Sequence, residues 1–454
     1  MKSNLREIAE YARKKLAEVA DDVVLAAVAG QASQIKFANN KIVKTAIENT
    51  FDISAFVTKD KKILITNIKD MPTEKSEVSA AKKKVDESSK NIKKFLKFVQ
   101  PKPDFFGIAS GPFKYKKIPR LFDKKIANFD LNEVDFVQAG MNAALNEGAE
   151  RTNGIFQLNA ADAILLTSGN VDIESQATSA YFSIRALIEK DASGHMNSNA
   201  RTLRDIEVEE SGRFAGEIAR QAKHPESGKA GKYDVLFAPL AFSVIAQNFG
   251  EAASIFDVEA NLSFFKNKLG EQLGQKSLNI YDDATIAGGI ASCEYDAEGV
   301  PTGKIPIIHN GVLKTYLYNT SSAKKYKTKT TGNAGLIAPG PHNVVFEAGT
   351  DSRESLIKEI KHGLYITNVW YLRYQNMSTG DFSVIPRDGM FLIENGKIAG
   401  PVKQLRVSEN MLNILKNIHA LGDDLKQMAG WETSIPVLTP HVIVKNVNIT
   451  QPTN

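Results

Sequence analysis

The sequence has little of what marks a secreted, membrane-spanning or nucleic-acid-binding protein. Its 454 residues include one cysteine, Cys293, so no internal disulfide can form and a reducing compartment is expected. No apolar run reaches the roughly 18 residues of a membrane-spanning helix, and residues 1–19 predict an amphipathic helix instead of a secretory signal. The net charge of +5 is small for this length, which disfavours nucleic acid as a partner. We therefore expect a cytoplasmic protein without a membrane partner.

The pattern of the chain predicts two domains, because 454 residues exceed what a single hydrophobic core usually supports. Residues 1–223 combine amphipathic helical patterns with alternating strands, and residues 233–454 are rich in strands. Between them, residues 224–232 gather proline, glycine and polar side chains without periodicity, as a linker does. The predicted fold is therefore α+β, with an N-terminal α/β domain of helices on a sheet followed by a β-rich C-terminal domain.

Periodicity and turn residues predict the local elements. Apolar residues at helical spacing indicate helices over 71–96, 131–147, 206–222, 239–259 and 352–361. Alternation indicates strands over 23–28, 34–38, 42–47, 51–57, 154–158, 161–167 and 176–189, with a polar loop at 193–199. The Asn-Gly pairs that begin at Asn310 and Asn395 suit the two positive-φ positions of a type I′ turn and predict two hairpins.

The most highly specified backbone lies in residues 281–335. This stretch contains the paired glycines Gly288 and Gly289, and it ends in a TGNAG sequence that holds Gly332, Asn333 and Gly335. Glycines at such points indicate positive φ or a close approach of two backbones. The stretch lacks the His/Cys/acid spacing of a metal or nucleophile site, so we interpret it as a shaped platform.

Other chemistry in this stretch has an ordinary structural interpretation. Two pairs of carboxylates could each bind a metal or act as an acid–base pair, but adjacent acids in turns are far more often solvated, and we expect that here. They are Asp282, Asp283, Asp296 and Glu298. No sequence motif places a histidine beside Cys293, so a small buried apolar thiol is expected. His309 and His342 are each expected to be structural.

Six short sequences, in order along the chain, resemble the TldD/PmbA family and its PmbA-like branch in particular. They are KFANNKI (36–42), SGNVDIESQATS (168–179), GGI with DAEGVPT and NGVLKTYL (288–317), TGNAG (331–335), FLIENGKI with PV (391–402) and NMLNILKNI (410–418). The resemblance implies an N-terminal α/β domain and a C-terminal β-rich domain. It also implies kinship with TldD-like zinc metallopeptidases, which act on unfolded peptides and assemble with a PmbA-like partner that lacks the metal.

The metal ligands of the TldD-like branch are an H-E-x-x-x-H helix and a later cysteine. Histidines on one helix can grip Zn²⁺ while the glutamate takes a proton from the metal-bound water. Counting back from residues 269–273 (LGEQL), which both branches share, the motif falls on Ala246, Gln247 and Glu251. None of the seven histidines is followed by glutamate, so a shift of the alignment restores no motif. The resemblance thus implies no catalytic residue and no metal in this chain, with zinc expected only on a TldD-like partner.

The leading hypothesis is a non-catalytic PmbA-like subunit of a peptidase assembly that completes a cavity for unfolded peptides. Its partner would be a TldD-like metallopeptidase subunit, or a second copy of itself as a homodimer. Gly288, Gly289, Gly332, Asn333 and Gly335 are then candidates for peptide contact. The alternative is a homo-oligomeric binding module without a peptidase role, associated with nucleic acid or a topoisomerase. A hydrolase of unrecognised type ranks last.

Overall fold

The computed structural model describes residues 2–72, 77–128 and 133–451. Helices account for 24% of it and strands for 41%, which confirms the predicted α+β class. The helices are α1 Lys2–Ala17, α2 Val78–Phe95, α3 Lys124–Ala127, α4 Glu133–Asn146, α5 Val208–Gln221, α6 Pro239–Glu251, α7 Ile255–Glu259, α8 Thr320–Lys325, α9 Arg353–Glu359 and α10 Met411–Asn417. The starts of the helices predicted at 71 and 131 overlap residues 73–76 and 129–132, which lie outside the described residues.

The first sheet is antiparallel and six-stranded, in the order β3-β2-β1-β4-β5-β6. Its strands are β1 Asp22–Ala38, β2 Lys41–Lys59, β3 Lys62–Ile68, β4 Arg151–Thr167, β5 Asp172–Ile188 and β6 Ala192–Ala200. The breaks predicted within β1, β2 and β4 are wrong. Pairing on both sides carries β1 through its polar middle without interruption, because a ladder satisfies the backbone whatever the side chains are.

The predicted polar loop at 193–199 is also wrong, since these residues form β6. Their polar side chains are satisfied by distant parts of the chain, which allows the strand to be buried. Ser193 donates to Asp388 at 2.7 Å, and Asn199 donates to the Ala429 carbonyl at 3.0 Å. No local pattern could announce these partners, which are about 200 residues away in sequence.

The helices of the first half pack at the two ends of this sheet. At one end α1 and α2 bury their apolar faces against β1 and β2, with Ile8 and Leu16 fully buried. At the other end α4 and α5 lie on β5 and β6 around Phe156 and Phe182. This second cluster continues into the C-terminal half through Tyr365, so one core joins the two halves.

Two further sheets make up the second half. Their strands are β7 Glu226–Ser227, β8 Gly231–Phe237, β9 Ile280–Asp283, β10 Lys304–His309, β11 Val312–Leu313, β12 Val344–Phe346, β13 His362–Asn376, β14 Asp381–Glu394, β15 Lys397–Lys403, β16 Arg406–Asn410, β17 Ile418–Leu421, β18 Lys426–Met428, β19 Val437–Thr439 and β20 Val442–Thr450. One sheet has the order β11-β10-β9-β12-β19-β18. In the other, β13 pairs with both β8 and β14, which closes β13, β8, β20, β16 and β14 into a ring.

Helix α6 lies between these two sheets, and all of residues 239–250 are buried. The predicted helix over 239–259 is broken at 252–254, where Ser254 donates to the Pro339 carbonyl at 2.6 Å and bridges to Leu317. Both Asn-Gly hairpins are confirmed, with Asn310 and Asn395 at positive φ. The predicted linker at 224–232 contains β7 and the start of β8; the domain limits stay a prediction.

None of the helices in the described residues combines the length and the apolar character that crossing a membrane requires.

The crossing of α4 and α5 gives a stability prediction. A Cβ added at Gly212 of α5 would lie 2.0 Å from the carbonyl oxygen of Gly140 in α4. Overpacking of this kind costs about 1–3 kcal/mol, which exceeds the roughly 1 kcal/mol that alanine gains over glycine in helix propensity. We expect Gly212→Ala to lower the free energy of unfolding in urea. Gly400→Ala is the control, because a Cβ at Gly400 meets nothing within 4 Å. Equal stability of the two variants would contradict the close crossing.

Candidate functional site

A cavity of about 630 Å³ lies between the first sheet and helix α6. Strands β5 and β6 supply one wall, through Ser183, Arg185 and His195. The opposite wall consists of one face of α6, strand β13 from Asn368 to Tyr371, and residues 430–433. The cavity is thus built jointly by the two halves of the chain.

A polar network forms the floor of this cavity. His195 lies with Nε2 2.9 Å from the Ser183 hydroxyl and Nδ1 3.1 Å from the amide nitrogen of Asn368. The same Asn368 nitrogen donates to Asp388 at 2.7 Å. Asp388 also pairs with Arg185 at 3.1 Å, so its buried charge is balanced.

The hydrogen bonds fix the tautomer of His195 and exclude a nucleophilic role for Ser183. Asn368 must present its NH₂ group to Asp388, since a carboxylate only accepts, and its second hydrogen then points to Nδ1 of His195. Nδ1 is therefore an acceptor, and Nε2–H donates to the Ser183 hydroxyl. A serine nucleophile needs the opposite arrangement, in which the imidazole takes the serine proton. The Ser-His pair therefore serves binding or structure.

Burial sets the charge states of this network. It lowers the pKa of His195 to about 4, so the imidazole is neutral at pH 7. Burial alone would raise the pKa of Asp388, but Arg185 and His195, together with hydrogen bonds from Asn368 and Ser193, outweigh that effect and lower it. The floor therefore carries one compensated ion pair and otherwise neutral donors and acceptors.

Aromatic side chains form the rim. The Arg185 guanidinium lies 4.4 Å from the centre of the Trp370 ring, and that of Arg387 lies 5.6 Å from it. Tyr371 has a φ of 59° and donates its backbone N–H to Glu432 at 3.1 Å. Trp431 is 90% exposed. An exposed aromatic rim beside a polar floor suits a ligand that carries both apolar and hydrogen-bonding groups.

The three motif positions lie on α6, the helix whose Leu240 and Val244 line this cavity. Ala246 is fully buried in the hydrophobic core. The Gln247 amide donates to the Glu432 carbonyl at 2.6 Å, and its oxygen accepts from Ser434 and from the Ile435 backbone N–H at 3.3 Å. Glu251 is the last residue of the helix and is exposed.

These residues do not fit a zinc ion. Ala246 has no donor atom, the polar atoms of Gln247 are used by residues 432–435, and Glu251 alone offers one carboxylate. Over the described parts of the chain, no three His, Cys, Asp or Glu side chains come together in a way that could hold a metal.

The residues expected to contact peptide in the 281–335 stretch lie in two separate places. Gly288 and Gly289 border a cavity beside β6, where Arg201 donates to the Gly289 carbonyl at 3.0 Å. Gly332 and Asn333 are buried, and Gly335 lies at the edge of another small cavity. Their backbone groups bond largely within the chain. Peptide contact by these residues stays a prediction.

The expectation of solvated carboxylates in this stretch is wrong for three of the four. Asp282, Asp296 and Glu298 are buried, whereas Asp283 is partly exposed. Asp296 accepts from the backbone N–H groups of Glu298, Val300 and Ala334 at 2.9 Å. Burial raises the pKa of Asp282 and Asp296 to about 6 and that of Glu298 to about 7. These acids shape the turn from inside, which adjacency in sequence does not reveal.

The interpretation of Cys293 also needs correction. The thiol is partly exposed, and the fold places Nδ1 of His342 3.5 Å from its sulfur. The two residues are 49 positions apart, so no local motif could pair them.

Comparison with known proteins decides the family. Residues 230–451 match the family described as the PmbA/TldA metallopeptidase C-terminal domain. Over 325 residues the chain is 30% identical to an uncharacterized protein of Methanocaldococcus jannaschii. The match covers 69% of this chain and 74% of that protein. The chain belongs to the PmbA/TldD family.

Two relatives within this family bear the name metalloprotease. One, from M. jannaschii, is 35% identical over 211 residues, or 44% of this chain and 46% of that protein. The other, from Methanothermobacter thermautotrophicus, is 32% identical over 257 residues, or 54% and 56%. The match thus spans about half of the length of each.

Solved structures share the fold over nearly the whole chain. A protein from Thermotoga maritima, described as a modulator of a DNA gyrase, superposes with a TM-score of 0.82 at 25% identity, covering 97% of this chain and 100% of that one. TldE from Thermococcus kodakarensis gives 0.85 at 21% identity, covering 98% and 100%, and at this identity shows the fold alone.

Sequence reasoning found the α6 positions but missed the residues that line the cavity beside them. His195 lies in a segment interpreted as a polar loop, and Trp431 stands in a stretch without periodicity. The Trp370-Tyr371 pair is the one local signal for this site, and the structure places Trp370 partly exposed and Tyr371 exposed at the rim.

The buried imidazole predicts a pH effect. Because the folded-state pKa of His195 lies below the unfolded value of about 6.5, the unfolded chain gains a proton first, and stability falls as the pH drops from about 6.5 towards 4. Between pH 7 and 5 this loss is about 2 kcal/mol. We expect His195→Gln to lose less stability than the native chain over this interval in urea denaturation at both pH values.

The exposed His224, with 79% of its side chain accessible, provides the control variant His224→Gln. The raised pKa values of Asp282, Asp296 and Glu298 act in the opposite direction and cancel in the difference between proteins. An identical pH dependence for the native chain and His195→Gln would contradict a neutral buried imidazole.

Proposed function

We propose that this chain is the non-catalytic, PmbA-like subunit of a zinc metallopeptidase assembly that acts on unfolded peptides. The proposal rests on the residues that occupy the motif positions of helix α6. Its motif positions hold an alanine inside the core and a glutamine whose amide is bound to residues 432–435. Ala246 has no donor atom, and a change of rotamer would not free Gln247 without breaking its hydrogen bonds to residues 432–435.

The cavity beside α6 supports a role in holding peptide. Strand β13 pairs with β8 only through residues 363–366, and among the described strands it continues past Ile366 with β14 alone. This edge pairs with no described strand, although Glu432 accepts from the Tyr371 backbone N–H, and its segment reaches the cavity at Asn368 and Trp370. An extended peptide could add to such an edge through main-chain hydrogen bonds, with its side chains against the aromatic rim.

The partner in this proposal is a TldD-like chain that carries the H-E-x-x-x-H helix and supplies the zinc. A second copy of this chain as the partner would give a homodimer with no histidine at either α6. The names of the metalloprotease relatives support peptide hydrolysis as the activity of the assembly.

Mixing the two kinds of chain tests this division of roles. We expect this chain to co-purify with a TldD-like chain, and we expect hydrolysis of an unstructured reporter peptide by the mixture to exceed the sum of the separate chains at least tenfold. The control is the same mixture with the motif glutamate of the partner changed to glutamine. Equal hydrolysis by this chain alone would show that the proposal is wrong.

The exposed Trp431 gives a second test, at the peptide. Removing one aromatic contact costs about 1–2 kcal/mol of binding, so Trp431→Ala should raise the Kd of the assembly for an unstructured fluorescent peptide roughly 5- to 30-fold. Phe98→Ala is the matched control, because Phe98 is 74% exposed and lies away from the cavity. Both variants should keep the native unfolding midpoint. The same Kd for both variants would remove Trp431 from the peptide site.

A further inference from the structure

The only thiol of the chain stands beside an imidazole at the edge of a second cavity. The sulfur of Cys293 is 3.5 Å from Nδ1 of His342, and Cys293 lines a cavity of about 620 Å³ between the 292–295 segment and strands β4 and β5. This cavity is separate from the one beside α6. An inference drawn from it therefore does not depend on the peptidase proposal.

The hydrogen bonds of His342 orient its ring toward the sulfur. Nε2 lies 3.0 Å from the Gly332 carbonyl, which can only accept, so Nε2 carries a proton. In the neutral ring this leaves Nδ1 free to take the proton of the Cys293 thiol. The arrangement has the form of an activated nucleophile, a thiol next to a base that a third group orients.

The surrounding backbone holds both residues in place. The backbone N–H of Cys293 donates to the Ala284 carbonyl at 3.1 Å, and its carbonyl accepts from the Thr302 hydroxyl. Next to His342, Asn343 donates to the Asp283 carbonyl at 2.7 Å and accepts from the Ala291 N–H at 3.0 Å. The pair is therefore fixed by both of the segments that carry it.

The groups around the pair favour a protonated imidazole at His342. Burial alone lowers the pKa of His342, but Cys293, Asp282 and the Gly332 carbonyl outweigh it and raise this pKa to about 10. Asp282 accepts from the His342 backbone N–H at 2.6 Å. Asp296 also interacts electrostatically with His342. Near Cys293, Arg201 provides a partly buried positive charge, whereas Glu294 pairs with Lys117 at 3.4 Å.

We propose that Cys293 and His342 form a reactive thiol site that is covalently modified by small soft electrophiles entering through this cavity. In the reaction with an alkylating electrophile, the thiolate sulfur attacks the electrophilic carbon, a C–S bond forms, and the leaving group departs with the bonding pair. The thiol proton stays on Nδ1 of His342. The proposal goes beyond the family's peptidase chemistry and assigns this site no role in it.

Alkylation by iodoacetamide tests the site, and the single cysteine makes the mass shift of one group per chain unambiguous. An unassisted thiol with a pKa of about 8.5 reacts roughly 50-fold faster at pH 8.5 than at pH 6.5. We expect the folded chain to change less than fivefold over this range. At pH 6.5 it should react at least tenfold faster than a cysteine-containing model peptide.

His342→Gln separates the imidazole from mere exposure of the thiol, because glutamine can keep a donor to the Gly332 carbonyl while losing the base next to sulfur. We expect this variant to react at least tenfold more slowly at pH 6.5, with His309→Gln as the control. Circular dichroism checks folding, and if His342→Gln fails to fold, the pH profile of the native chain decides. A steep profile in the native chain, or an unchanged rate in a folded His342→Gln, would overturn the proposal.

Discussion

The burial of helix α6 on all sides is the constraint on which the rest of the structure depends. Residues 239–250 lie between the six-stranded C-terminal sheet and the ring of β13, β8, β20, β16 and β14, so each polar side chain of the helix needs a partner within the protein. Ser243 meets Thr433 at 2.9 Å, and Asn248 accepts from the Tyr374 hydroxyl at 2.9 Å. Gln247 binds residues 432–435. In this way the helix positions the loop that carries Trp431 and builds one wall of the cavity.

The same cavity depends on the first sheet. Arg185 and Ser193 of β5 and β6 both reach Asp388 of β14, while Asn368 of β13 links Asp388 to His195. A half-satisfied buried network costs more than an apolar one, so these bonds favour one fixed arrangement of the two halves. The continuous core from Phe182 to Tyr365 acts in the same direction. The site therefore belongs to the joint between the halves and to neither half alone.

Local physics explains what the sequence could predict. The Asn-Gly turns and helix α5 follow from short-range conformational preference and periodicity, and the α+β class follows from their order. Strand β6, the buried Asp282 and Asp296, and the Cys293–His342 pair could not be predicted in this way. Asp296 accepts from Glu298 and Val300 close by in sequence and from Ala334 further along the chain. The partners of the others lie tens to hundreds of residues away. A polar residue with a distant partner has the same local pattern as a solvated one. At the site, the positions of Ala246 and Gln247 came from the family resemblance, and their surroundings came only from the fold.

In our proposal, helix α6 holds no metal site but borders a cavity for peptide. Titration of the isolated, metal-free chain with Zn²⁺ in a calorimeter at pH 7 tests this most directly. We expect no zinc to bind with a Kd below about 1 μM, since neither Ala246 nor the occupied amide of Gln247 can serve as a ligand. Binding of one zinc per chain with nanomolar affinity, lost when Glu251 is changed to glutamine, would contradict it.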